Sequence, residues 1–268
     1  MKNLRPDSGI IRIKSFSAVF IFLAWSFIFF AARADFSYAQ SSQQNVSGAP
    51  VSTAEEDDEF EEDEEDDFPR IPDPFIWWNK AMFQINDRLY FWVLRPTSRV
   101  YNRLLPEMGR ISIRNFFENL LTPVRFFNCL LQGKLRSGGT EAARFCLNTA
   151  FGVLGFFDPA KKVWKLSMQD EDTGQTLGVY GLGHGFYLVL PFFGPSSLRD
   201  GIGMVGDGFL NPVYYLPLEP SVSITAYKTL NQTSLKLGDY EGLKKSSLDP
   251  YRSFRDIYVQ YRENKVKR

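Results

Sequence analysis

Histidine is almost missing from this sequence. His184 is the only one among 268 residues, so any Ser-His-Asp site has to be built on it. No G-x-S-x-G turn exists to supply the nucleophile, and Gly194-Pro195-Ser196-Ser197 does not fit that pattern. With no serine, cysteine or lysine in a recognisable activating context, the sequence argues against an enzyme. Cysteine is nearly as scarce. Cys129 and Cys146 cannot make a disulfide framework, and with one histidine they cannot complete a four-ligand zinc site. Their neighbours Phe127, Leu130, Phe145 and Leu147 favour two buried small hydrophobes over a single disulfide. The adjacent acids Asp170, Glu171 and Asp172 read as a solvated turn rather than a cation site. No catalytic residue, metal or cofactor is expected.

Lysine and arginine are absent from residues 35–67, which hold thirteen acids, twelve of them between Glu55 and Asp67. Such a block repels itself and cannot bury a core, so 35–67 is expected to be a disordered acidic linker. It follows a leader over residues 1–34. Lys2, Arg5, Arg12 and Lys14 precede an apolar run from Phe16 to Ala32, then Ala32-Arg33-Ala34 offers a cleavage site, with Ser37-Tyr38-Ala39 as a second. This is the layout of a secretory signal peptide cleaved near 34 or 39. The apolar run of 17 residues is close to the minimum for a bilayer span, so an uncleaved inner-membrane anchor is the alternative. The body, 68–268, carries 26 basic and 17 acidic residues. Export removes nucleic acid from its partners and leaves an anionic lipid surface or an acidic protein.

Aromatic residues are abundant: 25 Phe, 12 Tyr and 5 Trp. Many stand where a helical pattern would expose them around the whole circumference, which belongs in a large core or in lipid. After prolines Pro69, Pro72 and Pro74, Asp73-Pro74 reads as an N-cap opening a helix toward Leu94. Arg95-Pro96 is expected to interrupt it. Thr122-Pro123 repeats the device for a helix ending at Gly133, Thr140 is expected to start another, and Asp158-Pro159 caps a short one. Phe186–Leu190 is the one convincing extended segment, closed by Pro191. Ser196 or Ser197 caps the next helix, with Asp200 in its first turn where the macrodipole favours an acid. Two last helices are expected around Ile224–Leu237 and Asp249–Lys265. Helices this short do not cross a bilayer one by one, yet they are too apolar for water. The fold class expected is mainly α: a ring-like bundle of short amphipathic or apolar helices lying in the membrane, with one hairpin-like segment.

Two features are candidates for function. Arg95, Arg99 and Arg103, at spacing four, form one helix face that suits lipid phosphates, or whose arginine stems cover apolar surface while the heads stay wet. Gly181-Leu182-Gly183-His184-Gly185 lacks the Lys-Ser/Thr of a phosphate loop, and Phe186 stands where a third glycine would be. With Tyr187 and Pro191 it is better read as a gate or hinge, the glycines supplying positive φ.

At this point the motifs resemble a known family. Asp73-Pro74-Phe75 with Asn79-Lys80-Ala81-Met82-Phe83 is similar to the opening pattern of the MlaA (VacJ) family. Arg144-Phe145 with Leu147-Asn148-Thr149, then Gly152, Gly155 and Asp158, continue it. Tyr187, Leu190-Pro191, Gly194 and Leu198-Arg199-Asp200 are the most specific match. The blocks run in order over about residues 73–260. The resemblance implies a helical ring in the periplasmic leaflet of the outer membrane, beside a trimeric porin. It also implies that outer-leaflet phospholipid passes through a channel to a soluble MlaC-type periplasmic carrier, which maintains lipid asymmetry. An exported envelope scaffold that moves no lipid is the alternative. The family's lipobox cysteine has no counterpart near residue 34, and Phe186 replaces a proline usual in the hinge.

Overall fold

The computed structural model describes residues 71–267; the leader and the acidic linker expected from the sequence lie outside them. Helix α1 (Ile76–Leu89) runs without a break through one π turn (Tyr90–Leu94) into α2 (Arg95–Leu104). The interruption expected at Pro96 is therefore absent. A proline inside a helix lacks its N–H and clashes with the carbonyl one turn back. Here the turn just before it is widened, with the Arg95 amide donating to the Tyr90 carbonyl five residues earlier, and such bulges relieve local conflict inside a helix. Asp73 is not the N-cap either. Helix α1 starts two residues later, with Phe75 at the cap position, and the Asp73 carboxylate is held by side chains described below.

Next come α3 (Glu107–Leu120), α4 (Thr122–Leu131) and α5 (Leu135–Ala150). Gly133, at φ 72°, ends α4 as expected of a left-handed C-terminal glycine. Thr122 is the first residue of α4 rather than its cap, and its hydroxyl accepts from Arg125 Nη2 at 3.1 Å. Nor does Thr140 open a helix. It lies inside α5, donating to the Arg136 carbonyl at 2.9 Å, because the Gly138-Gly139 pair is tolerated within the helix. The short α6 (Pro159–Lys162) does start at an Asp158 cap that accepts the Lys161 amide. Both cysteines are free thiols; Cys129 is buried as expected but Cys146 is exposed.

Helix α7 (Thr173–Val179) leads to an antiparallel hairpin of β1 (Tyr187–Leu190) and β2 (Gly194–Ser197), with Tyr187 opposite Ser197 and Leu190 opposite Gly194. Ser197 caps α8 (Leu198–Leu210) by accepting the Asp200 amide. A 3-10 turn (Pro212–Tyr215) then precedes α9 (Leu218–Leu235), α10 (Asp239–Ser246) and α11 (Pro250–Val266). Three helices thus stand where two were expected, since Gly238 at φ 107° separates α9 from α10.

The fold is mainly helical with one hairpin, and its contacts trace a closed circuit. Helix α1 lies on β1, β2 on α11, and α11 on α7. From α7 the path runs to α4, α3, α9 and α2, then back through the π turn to α1. What is buried along it is mostly polar. Among the described residues, 19 polar or charged residues are buried against 11 hydrophobic ones, while 41 large hydrophobics are exposed. That is the reverse of a water-soluble core, where charged groups are almost never fully buried. The one apolar cluster, Ile71, Tyr187, Val189, Tyr251 and Val259 with Met82 and Phe83 against it, sits under the hairpin. No helix among the described residues is long and apolar enough to cross a membrane.

Candidate functional site

A two-stranded hairpin has two free edges and is marginal by itself. Helix α1 supplies what a third strand would. Asn79 and Asn86, seven residues apart, lie on one face of it. Asn79 Nδ2 donates to the Tyr187 carbonyl at 3.0 Å, and its Oδ1 accepts the Val189 amide at 2.7 Å. Asn86 repeats this at the far end, donating to the Leu190 carbonyl at 2.9 Å and accepting the Phe192 amide at 2.7 Å. Asn79 also donates to Asp73 Oδ1 at 2.7 Å, and Tyr251 donates to the other Asp73 oxygen. Asp73, Asn79 and Tyr187, distant in sequence, are thus one assembly, with Met82 packed against its apolar side.

The hairpin's other end meets a buried charge cluster. Arg262, on α11, donates through Nε and Nη2 to both oxygens of Asp200, each at 2.8 Å. It also grips Asp172, Nη1 to Oδ2 at 2.6 Å and Nη2 to Oδ1 at 2.8 Å. Tyr258 donates to Asp200 as well, and Arg199 Nε reaches it at 3.0 Å. Burial would raise the Asp200 carboxyl, but the Arg262 guanidinium, then Tyr258 and Arg199, override that and hold it at about 2. Asp172 is lowered in the same way, burial being outweighed by Arg262. The acidic triplet is therefore no solvated turn. Asp172 is clamped by Arg262, Glu171 pairs with Lys134 at 2.8 Å and Asp170 with Lys265, because α11 and the start of α5 bring cations to each. Close backbone approach makes room for the cluster. A Cβ on Gly203 would lie 2.4 Å from the Gly174 nitrogen, and one on Gly174 would lie 2.5 Å from Asp200 Oδ1.

The glycine loop hangs between these two anchors. Gly181 (φ 88°) and Gly185 (φ 72°) adopt the left-handed conformation expected of them; Gly183 does not, and a Cβ there would meet open space. The exit of the loop is tied: the Leu198 amide donates to the Phe186 carbonyl at 3.0 Å and the Arg199 amide to the His184 carbonyl at 3.3 Å. Phe186 stacks edge-on against Phe75 at 5.3 Å. His184 is partly buried with Nε2 3.9 Å from Glu263. Burial and then the Arg199 charge lower its pKa, against the pull of Asp200 and Glu263, which favours the neutral ring. Pro191 ends β1, and beyond it Phe192 and Phe193 project from the hairpin tip, both exposed.

The arginine stripe divides. Arg95 is committed to Glu241 at 2.6 Å, with its guanidinium over the Phe91 ring. Arg99 and Arg103 are exposed, the residues through which this face can meet an anion. A second buried polar assembly joins α4, α5 and the cap of α6. Arg125 donates to Glu141 at 2.7 Å, Arg144 to Asp158 at 3.0 Å, and Asn148 to Asp158 at 3.1 Å. Gly152 is required there, since a Cβ would sit 2.4 Å from the Asn148 carbonyl oxygen. Cavities open between the described residues. One of about 450 Å³ lies between Lys134, Glu171, Tyr261 and Lys265, with polar and apolar wall in similar measure; one of about 410 Å³ is mainly apolar, between Met204, Phe209, Tyr214 and Tyr215. No group of His, Cys, Asp or Glu among the described residues could hold a metal.

Sequence reasoning missed Arg262, Asp172, Asn86 and the Arg125–Glu141 pair. Their signal was available: Asn79 and Asn86, Arg125 and Asn128, and Glu141, Arg144 and Asn148 recur at helical spacing. Such periodicity ordinarily marks a solvent face; here the same residues face inward.

Comparison with known proteins fits this geometry. The sequence profile described as MlaA lipoprotein matches residues 71–265. The chain is 35% identical over 191 residues to the intermembrane phospholipid transport system lipoprotein MlaA of Escherichia coli, covering 70% of this chain and 76% of that protein. It is 30% identical over 196 residues to the protein of the same description in Haemophilus influenzae, covering 70% and 77%. A solved chain from work on the structural basis for maintenance of bacterial outer membrane lipid asymmetry superposes with a TM-score of 0.65 at 32% identity, covering 72% of this chain and 98% of that one. This chain belongs to the MlaA lipoprotein family.

Proposed function

We propose that this protein lies in the periplasmic leaflet of the outer membrane as a ring of short helices. There it removes mislocalised phospholipid from the outer leaflet and hands it to a soluble periplasmic carrier. The observation that carries the reading is the inverted polarity: a buried set dominated by Asn, Ser and Arg inside a circuit of helices whose exposed surface is rich in Phe, Trp, Leu and Val. In hydrocarbon each helix satisfies its own backbone, so such an exterior is stable there and a polar interior gives a headgroup a path. The relatives' description as phospholipid transport lipoproteins points the same way.

In this reading Gly181, Gly183, His184, Gly185, Phe186, Tyr187 and Pro191 form the gate, swinging on the anchors at Asn79 and Asp200. Arg99 and Arg103 meet headgroup phosphates, with Arg95 holding their helix to α10. A trimeric porin and an MlaC-type carrier are the partners, and a leader over residues 1–34 with an acidic linker over 35–67 delivers the body. Mass spectrometry of the protein purified from membranes tests this. Co-purified phospholipid that is displaced by the carrier supports transport; a lipid-free protein that still assembles with envelope components would make it a scaffold.

A further inference from the structure

Between α5 and α7 the chain forms a loop that the transport reading leaves without a task. Phe151, Val153, Leu154 and Phe157 are exposed to 54–69%, and Val163 and Trp164 to 66% and 45%. Lys161, Lys162 and Lys165 are exposed among them. The nearest acid, Asp158, is already occupied by Arg144, Asn148 and the Lys161 amide, and the lysines form no salt bridge among the described residues. The loop is also rigidly made. Val153, Leu154 and Lys165 sit at φ 52°, 57° and 55°, a conformation that is costly for side-chain-bearing residues, above all a β-branched one, and that persists only where surroundings impose it. They are imposed from below: Asn119 donates to the Leu154 carbonyl at 3.3 Å, the Ala160 amide to Asn148 Oδ1 at 3.0 Å, and the Leu166 amide to the Ala160 carbonyl at 3.0 Å. Gly155 at φ 96° packs so closely on Asn119 that a Cβ would lie 2.4 Å from that side chain.

We infer that this loop is a preformed wedge that docks on a bilayer surface carrying anionic phosphoglycerolipid, its apolar side chains entering the acyl boundary while the three lysines meet the phosphates. Apolar exposure alone would not select a lipid, since much of this protein's surface is apolar. The lysine cluster supplies the selection, because basic side chains beside an apolar face favour anionic bilayers. Rigidity matters too, because a loop already held in place loses little conformational entropy on insertion. The inference rests on the reading of this body as lying in lipid, and adds a headgroup preference and the residues that set it.

The test uses the full chain with Cys146→Ser and Val163→Cys, labelled at 163 with an environment-sensitive fluorophore, Cys129 being buried. It is diluted from detergent onto vesicles of phosphatidylcholine alone or of equal phosphatidylcholine and phosphatidylglycerol. Emission at 163 should shift to the blue on the mixed vesicles, and binding there should be tighter and salt-sensitive. Lys161→Gln, Lys162→Gln and Lys165→Gln together should remove that preference, by about fivefold per lysine at low ionic strength, while binding to pure phosphatidylcholine and the helical circular dichroism are retained. An undiminished preference in the triple variant overturns the inference and leaves the transport reading standing. So does an equal blue shift with a soluble polyglutamate peptide, which would make an acidic protein face the occupant. Failure to bind any vesicle overturns both.

Discussion

Arg262 is the point at which the packing can be tested hardest. It is 8% exposed and holds two carboxylates through four hydrogen bonds of 2.6 to 2.8 Å. Replacing it by Met keeps most of the volume, leaves Asp172 without its cation and leaves Asp200 with Arg199 alone. Breaking a buried pair in this way costs about 3–5 kcal/mol, because the remaining charge is stranded, whereas removing every charge together is often close to neutral. Arg262→Met should therefore lower the stability of the detergent-solubilised protein by that amount in urea titration, followed by circular dichroism. Adding Asp172→Asn to it, with Asp200 kept charged beside Arg199, should recover most of the loss. The acid limb gives a second reading of the same cluster. The Asp200 carboxyl is held at about 2 against an ordinary 3.8, a folded value below the unfolded one. Its stabilisation is therefore complete above about pH 4 and fades as pH falls toward 2, about 2 kcal/mol in all. A loss below 1 kcal/mol for Arg262→Met at pH 7, or no recovery in the double variant, would refute the view that this cluster joins α7, α8 and α11.

Three further outcomes are expected. Asn79→Ala strands a buried strand carbonyl and amide and should cost about 2–3 kcal/mol, with loss of protection of the Val189 amide in hydrogen exchange. Gly203→Ala, where a Cβ would press on the Gly174 backbone at 2.4 Å, should destabilise the protein far more than Gly183→Ala, where there is open space; Gly181→Ala should cost about 1 kcal/mol for its positive φ. If the loop is a gate, Gly183→Ala should change lipid flux with the unfolding midpoint unmoved, and unchanged flux would remove Gly183 from it. Arg99→Gln with Arg103→Gln should leave stability within about 0.5 kcal/mol, as exposed positions do, yet raise outer-leaflet phospholipid in cells.

Turn chemistry was the most legible layer of the sequence. Asp158 and Ser197 cap the helices expected of them, Gly133 ends α4, and the run expected over Phe186–Leu190 is a strand from Tyr187 onward, because each depends on a few neighbouring residues. The misreadings share one cause. Asp73, Thr122 and Asp172 were assigned to helix ends or solvent on local grounds. In this fold polar side chains are drawn inward to partners 3 to 178 residues away, and tertiary demand overrides local preference. Pro96 was misjudged for a different reason: nothing in the sequence announces the π turn that accommodates it. The arginine stripe was legible as a face but not as a divided one, since the Glu241 that engages Arg95 arrives from a helix more than a hundred residues later.

If this body moves phospholipid away from the cell surface, as proposed, it should do so in cells. The direct measurement expresses residues 68–268 behind a foreign cleavable signal in a strain lacking its own member of the family. Outer-leaflet phospholipid is then counted with a membrane-impermeant amine-reactive label. Surface phosphatidylethanolamine should fall to the level of the parent strain, with the protein remaining in outer membranes after a high-salt wash. Protein that accumulates in the outer membrane while surface phospholipid stays elevated would contradict it.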